Sequence, residues 1–147
     1  MQITRQADYA VRAIVYLAQQ GSGARVSTAQ VAQEQHIPPT FLAKIISQLS
    51  TAGVVRATRG ARGGITLARP PEEISLLEIV EAIDGPVSLN ECTHDPSLCL
   101  MGETCAVREV WCDVRVELVG RLKRTTFDQL TRPVNVSAPE LMDAVAR

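Results

Sequence analysis

The chain has 147 residues, 46% of them apolar and only 3% aromatic, which suits one ordinary domain with a packed core and no need of disulfide staples. It shows no charged-then-apolar leader and no run of about 18 apolar residues, so neither secretion nor membrane spanning is expected, and the expected address is cytoplasmic, where thiols stay reduced. The net charge of −1 conceals a split: residues 1–69 carry eight Lys/Arg against Asp8 and Glu34, a balance of +6, and the rest carry seven basic against 14 acidic residues, a balance of −7. A polyanionic partner is therefore expected for the first half alone.

Thr4 can cap a first helix that runs to about Gln20, with Ala7, Ala10, Val11, Ile14, Val15 and Leu17 forming an apolar face at helical spacing. "GSGAR" (21–25) ends it. Ser27 and Gln30 stand at capping-box spacing and open a short second helix. "HIPPT" (36–40) is a turn, in which Pro39 suits a first helical position. A third helix, residues 40–53, turns Leu42, Ile45, Ile46 and Leu49 inward and stops at Gly53. A short helix, a tight turn and a longer helix form a helix-turn-helix.

Two β-segments follow, Val54–Thr58 and Gly64–Ala68, around a Gly/Arg-rich tip. This is the pattern of a β-hairpin wing. Arg59 and Arg62 on the tip can hold phosphates or enter a narrow minor groove. On the third helix the outward positions are Thr40, Ala43, Lys44 and Ser47. Lys44 can bond a guanine edge or a phosphate, and Thr40 can reach a phosphate or base at the helix start. Together these residues predict binding to double-stranded DNA.

After a linker, Ser75 and Glu78 open a fourth helix that ends at Asp84 before "GP". Residues 86–104 show no periodicity and read as a long loop, a feature that is usually functional or disordered. From Cys105 to about Arg124 helical periodicity returns. Val107, Val110, Trp111, Val114, Leu118, Val119 and Leu122 spread apolar surface over more of this helix than a small domain can cover, and a homodimer built on it is the expectation.

All four cysteines, Cys92, Cys99, Cys105 and Cys112, lie in the loop and the start of this helix. Their spacing lacks the close pairs of a structural zinc site and the close triplet of a ferredoxin. Wide spacing suits an iron–sulfur cluster, and it equally suits redox-active thiols or small apolar residues.

The stretches "MQITRQADYAVRAIVYLA", "FLAKIISQLSTAGVVRATRGARGGITLARP" and "ISLLEIVEAIDGP" resemble the IscR/NsrR family of bacterial winged-helix transcription regulators, over residues 1 to about 130. The resemblance implies a homodimer on a palindromic or partly palindromic site, with an iron–sulfur cluster held by Cys92, Cys99 and Cys105. A 4Fe–4S form is favoured over 2Fe–2S. IscR-like members place a histidine ligand three residues after the third cysteine. Arg108 stands there and cannot ligate. NsrR-like members use an acid in the partner's first helix, and Asp8 matches that position. The bland alternative for Asp8 is an i,i+4 pair with Arg12.

Cys112 lies two turns beyond Cys105, roughly 10 Å along a helix axis, which favours a buried or interface role over membership of the same site. His94 is a further ligand candidate. The implied signal is a small molecule such as nitric oxide or oxygen, or iron or redox status. A rival of the same fold is a cluster-free thiol/disulfide switch, and another replaces the cluster by zinc. No catalytic motif is recognisable, so no enzyme is expected.

The resulting fold class is mainly α with a small β-hairpin wing: a winged helix-turn-helix domain plus a long C-terminal dimerisation helix. Its divisions are the DNA-binding domain at 1–70, a connecting helix and cluster-binding loop at 71–104, a dimerisation helix with a short terminal segment at 105–130, and a flexible tail at 131–147 in which Pro139–Ala146 can form a helix.

Overall fold

The computed structural model describes residues 2–101 and 104–132; the expected tail helix lies outside them. Among the described residues, six α-helices and one hairpin follow in the order α1 (Arg5–Gln19), α2 (Thr28–Glu34), α3 (Pro39–Thr51), β1 (Val55–Thr58), β2 (Gly64–Leu67), α4 (Leu76–Asp84), α5 (Ala106–Arg124) and α6 (Phe127–Leu130). The mainly helical architecture with an antiparallel two-stranded wing is therefore as the sequence predicts.

Local chemistry sets the helix starts. The side chains of Thr4, Ser27 and Ser75 accept from the amides of Ala7, Gln30 and Glu78 at 3.1, 3.1 and 3.2 Å, which satisfies amides that a helix start leaves without partners. Pro39 takes the first position of α3, where a missing N–H costs nothing.

The turn between α2 and α3 is a Schellman motif. The Ile37 amide donates to the Ala32 carbonyl at 2.9 Å and the His36 amide to that of Gln33 at 3.3 Å. Ile37 is buried behind it, closing the motif with an apolar contact. The cost falls on His36, which stands at φ +50°. Gly53 makes the same stop after α3 at φ +72°, with Val54 donating to Leu49 at 2.9 Å. A side chain in the left-handed region costs roughly 1 kcal/mol. His36→Gly is accordingly expected to stabilise the fold by about 0.5–1 kcal/mol and raise Tm by about 2–4 °C in a thermal melt; a lowered Tm would show that the imidazole makes a contact worth more than the strain.

The wing pairs Val55 with Leu67 and Thr58 with Gly64. Val26 bridges to Ile65 with bonds of 3.0 and 2.7 Å, fastening the hairpin to the segment before α2. A β-carbon on Gly63 would stand 2.3 Å from the Thr58 carbonyl oxygen, so the tip closes only with glycine there.

The core runs past residue 70. Ile14 and Leu17 of α1 and Leu42, Ile45 and Leu49 of α3 share one cluster with Ile79 of α4 and Phe127 of α6. Phe127 is fully buried. Its amide donates to Ile74 at 3.1 Å, and Leu76 donates to Thr125 at 2.8 Å. The end of the described chain thus folds back onto the helix-turn-helix. Four residues of α6 are too few to show periodicity, so the sequence carried no sign of this return.

Candidate DNA interface and cysteine loop

The fold leaves the outward residues of α3 free of the core: Thr40, Ala43, Lys44 and Ser47 are all exposed, as are Arg56 on β1 and Arg59 and Arg62 on the wing tip. Among the described residues there are two ion pairs, Arg12–Asp8 and Arg69–Glu78. Lys44, Arg59 and Arg62 belong to neither, so their charges face solvent without an acidic partner. A recognition helix and a cationic wing thus lie on the half of the chain whose balance is +6.

Not every basic residue of that half is available to a polyanion. Arg69 is engaged by Glu78 and donates to the Glu73 carbonyl at 3.1 Å, tying the exit of the wing to the start of α4. Arg25 donates to the Arg62 carbonyl at 2.9 Å and braces the wing tip from the side. Arg12 bonds the Gln35 carbonyl and lies 5.6 Å from the centre of the Tyr9 ring. Counting charge along a sequence does not separate these braces from solvent-facing cations.

Asp8 is exposed on α1 and pairs with Arg12 at 3.7 Å. An exposed pair of this kind contributes a few tenths of a kcal/mol, so it leaves the carboxylate available to a stronger partner.

Residues 86–101 are irregular apart from two single turns of 3-10 helix, Glu91–Thr93 and Pro96–Leu98. Cys92 lies in the first turn, Cys99 follows the second, and Cys105 is the N-cap of α5. Asp95 accepts from the side chain and the backbone amide of Ser97 at 2.7 and 2.9 Å. These bonds, the side-chain one first, hold its carboxyl below the ordinary carboxylate range.

All four cysteines are half-buried and unbridged. Cys112 is neither deeply buried nor on the exposed apolar face of α5. It lines, with Cys105, Arg108 and Glu109, a hollow of about 480 Å³ at the start of the helix. Among the described residues no three His, Cys, Asp or Glu side chains converge closely enough to hold a metal ion. The donor chemistry nonetheless fits an iron–sulfur cluster: three accessible thiols on one loop and helix start, none committed to a disulfide.

No residue of α5 is buried. Val107, Trp111 and Val114 fall on one face at helical spacing and are 51%, 40% and 42% exposed. No helix among the described residues is long and apolar enough to cross a membrane.

A helix-turn-helix, a cationic wing and a long helix with an uncovered apolar face make up a winged helix-turn-helix fold. The chain matches the Rrf2 family, described as iron-dependent transcriptional regulators, over residues 3–133. An HTH-type transcriptional regulator of Mycobacterium tuberculosis is 40% identical over 127 residues, covering 86% of this chain and 79% of that protein. One of Haemophilus influenzae is 30% identical over 136 residues, covering 92% and 90%.

Among solved structures, CymR, the global cysteine regulator of Bacillus subtilis, superposes with a TM-score of 0.77 at 28% identity, covering 89% of this chain and 96% of that one. T. potens IscR superposes with a TM-score of 0.72 at 24% identity, covering 97% and 96%, and shares the fold. The chain belongs to the Rrf2 family of transcriptional regulators. Its family and relatives are regulators, not enzymes, and regulators of this family bind DNA and typically act as dimers.

Proposed function

We propose that this protein is a homodimeric, cytoplasmic regulator that grips a palindromic or partly palindromic promoter site and changes its affinity when an iron–sulfur cluster on its cysteine loop is altered. The observation that carries the reading is the division of labour along the chain. Lys44, Arg59 and Arg62, exposed and unpaired among the described residues, lie in the first half of the chain, and three unbridged thiols lie together in residues 92–105.

Lys44 and Thr40 meet base edges or phosphates in the major groove, and Arg59 and Arg62 hold flanking phosphates or the minor groove. The exposed face of α5, with Val107, Trp111 and Val114, packs against the same face of a second copy. A two-fold pair of heads then matches a two-fold site.

Cys92, Cys99 and Cys105 would hold the cluster, with Asp8 of the partner subunit as the fourth ligand and the 4Fe–4S form favoured. When bound, the cluster supplies an iron open to substitution or loss in the presence of nitric oxide, oxygen or iron scarcity. Carboxylate is a weaker ligand to such iron than thiolate.

A second reading has one observation in its favour. An oxidised form of Staphylococcus aureus CymR superposes with a TM-score of 0.74 at 26% identity, covering 92% of this chain and 100% of that one. The half-exposed thiols here would then form a reversible disulfide switch without metal. Iron and acid-labile sulfide content of protein prepared without oxygen decides between the two.

A further inference from the structure

The loop that carries the cysteines has little to hold it by apolar packing. Of residues 86–101, Val87 alone is a buried apolar side chain. Its attachment to α5 is polar and is made by two arginines. The Arg108 Nε donates to the Cys92 carbonyl oxygen at 3.3 Å, and the Arg115 Nε donates to the Val87 carbonyl oxygen at 2.7 Å. Positions 108 and 115 are two helical turns apart and share one face, with Cys112 between them on the same side. Neither arginine takes part in an ion pair among the described residues. Their guanidinium groups serve backbone carbonyls, where charge-assisted bonds are stronger than neutral ones.

Val87 is gripped from both sides, because its amide donates to the Glu81 carboxylate of α4 at 3.2 Å. Beyond it, the Asn90 carbonyl accepts from Ser88 and Thr93 hydroxyls at 2.8 and 2.7 Å and shapes the turn that presents Cys92.

We propose that Arg108 and Arg115 are positioning residues that clamp the cysteine loop to α5, Arg115 fixing its first residues and Arg108 fixing Cys92. Arg108 occupies the place where some relatives by resemblance put a ligand, and here it acts on a cysteine through that cysteine's carbonyl. Movement of Cys92 away from α5 works against this bond. The clamp thus sets how readily the loop opens, whether the event at the thiols is metal loss or oxidation. Its functional meaning rests on the reading of the loop as the sensing element, but the clamp itself is testable without any metal.

The experiment uses the full-length protein, chelated and kept reduced without oxygen. Each cysteine is alkylated by iodoacetamide under limiting conditions, and the rates are read separately by mass spectrometry. For Arg108→Met we expect Cys92 to react about fivefold faster, the effect of losing a hydrogen bond of ordinary strength. Cys99, to which neither arginine is hydrogen-bonded, and the thermal melt should stay as in the parent. Arg108→Lys, which keeps a donor, should bring the Cys92 rate back toward the parent. Arg115→Met should speed amide exchange at residues 87–90 without that selectivity for Cys92.

An unchanged Cys92 rate in Arg108→Met overturns the proposal. So does an equal rise at every cysteine with a lowered Tm, which would be general loosening. Failure of the cluster reading is separate: it shows as iron-free parent protein and leaves the labelling rates untouched.

Discussion

Replacing Arg59 and Arg62 together with alanine is expected to weaken binding to the promoter site on the order of a hundredfold at moderate salt, and to flatten the salt dependence. Each phosphate left without its arginine takes about 0.9 off the log–log slope, so four such phosphates per dimer lower it by roughly three to four. The size of the effect follows from where the two side chains stand. Both are exposed on a tip that closes tightly at Gly63 and is braced by Arg25, and among the described residues neither has an acidic neighbour to be released from. Removing Arg69 in place of either would act differently, because its guanidinium is engaged by Glu78 inside the fold. Fluorescence anisotropy at graded salt separates the cases. Equal affinity and equal slope in the double variant would remove the wing from the interface.

Trp111→Glu is expected to split the dimer proposed to form on α5. Trp111 is 40% exposed at the middle of the α5 face, flanked by Val107 and Val114, the position of an anchor in a helix-to-helix interface. Truncating such an anchor costs about 2 kcal/mol or more, and an unpaired buried carboxylate adds to that. The dimer dissociation constant should therefore rise by about a hundredfold or more. Sedimentation velocity at micromolar concentration should show monomer, with the melt of the α1–α3 core little changed, since no α5 residue is buried in the protomer. Binding to a single half-site should survive while binding to the full site falls. A variant that sediments as the parent does would place the dimer contact elsewhere.

Much of the fold was legible because its signals are local. Thr4, Ser27 and Ser75 announce helix starts, Pro39 and Gly53 mark the two ends of the third helix, and the glycines of residues 60–64 mark the wing tip. The return of Phe127 to the core was not legible, because one aromatic on a four-residue helix carries no period. The strain at His36 was hidden for a different reason. A turn is expected there, but the sequence alone does not say which residue takes the left-handed position, and a glycine would have been the natural sign.

Around the cysteines, residue type spoke more clearly than position. Thiols in one segment point to metal or redox chemistry whatever their geometry. The two arginines that attach the loop were visible only as charges on a helix, since a bond from a side chain to a carbonyl 16 or 28 residues away leaves no trace in spacing. Cys112 shows the same limit. Helical rise separates it from Cys105 along the axis, yet seven residues is close to two whole turns, so both line one hollow.

Whether a cluster occupies the cysteine loop can be read from the iron, acid-labile sulfide and zinc content of the protein prepared without oxygen, together with its absorption spectrum. Iron with matching sulfide and a broad visible band is the expected result, with a changed spectrum or reactivity in Asp8→Ala. Colourless protein without iron, still so after anaerobic reconstitution, would contradict the cluster and leave the thiol switch on the same winged-helix frame.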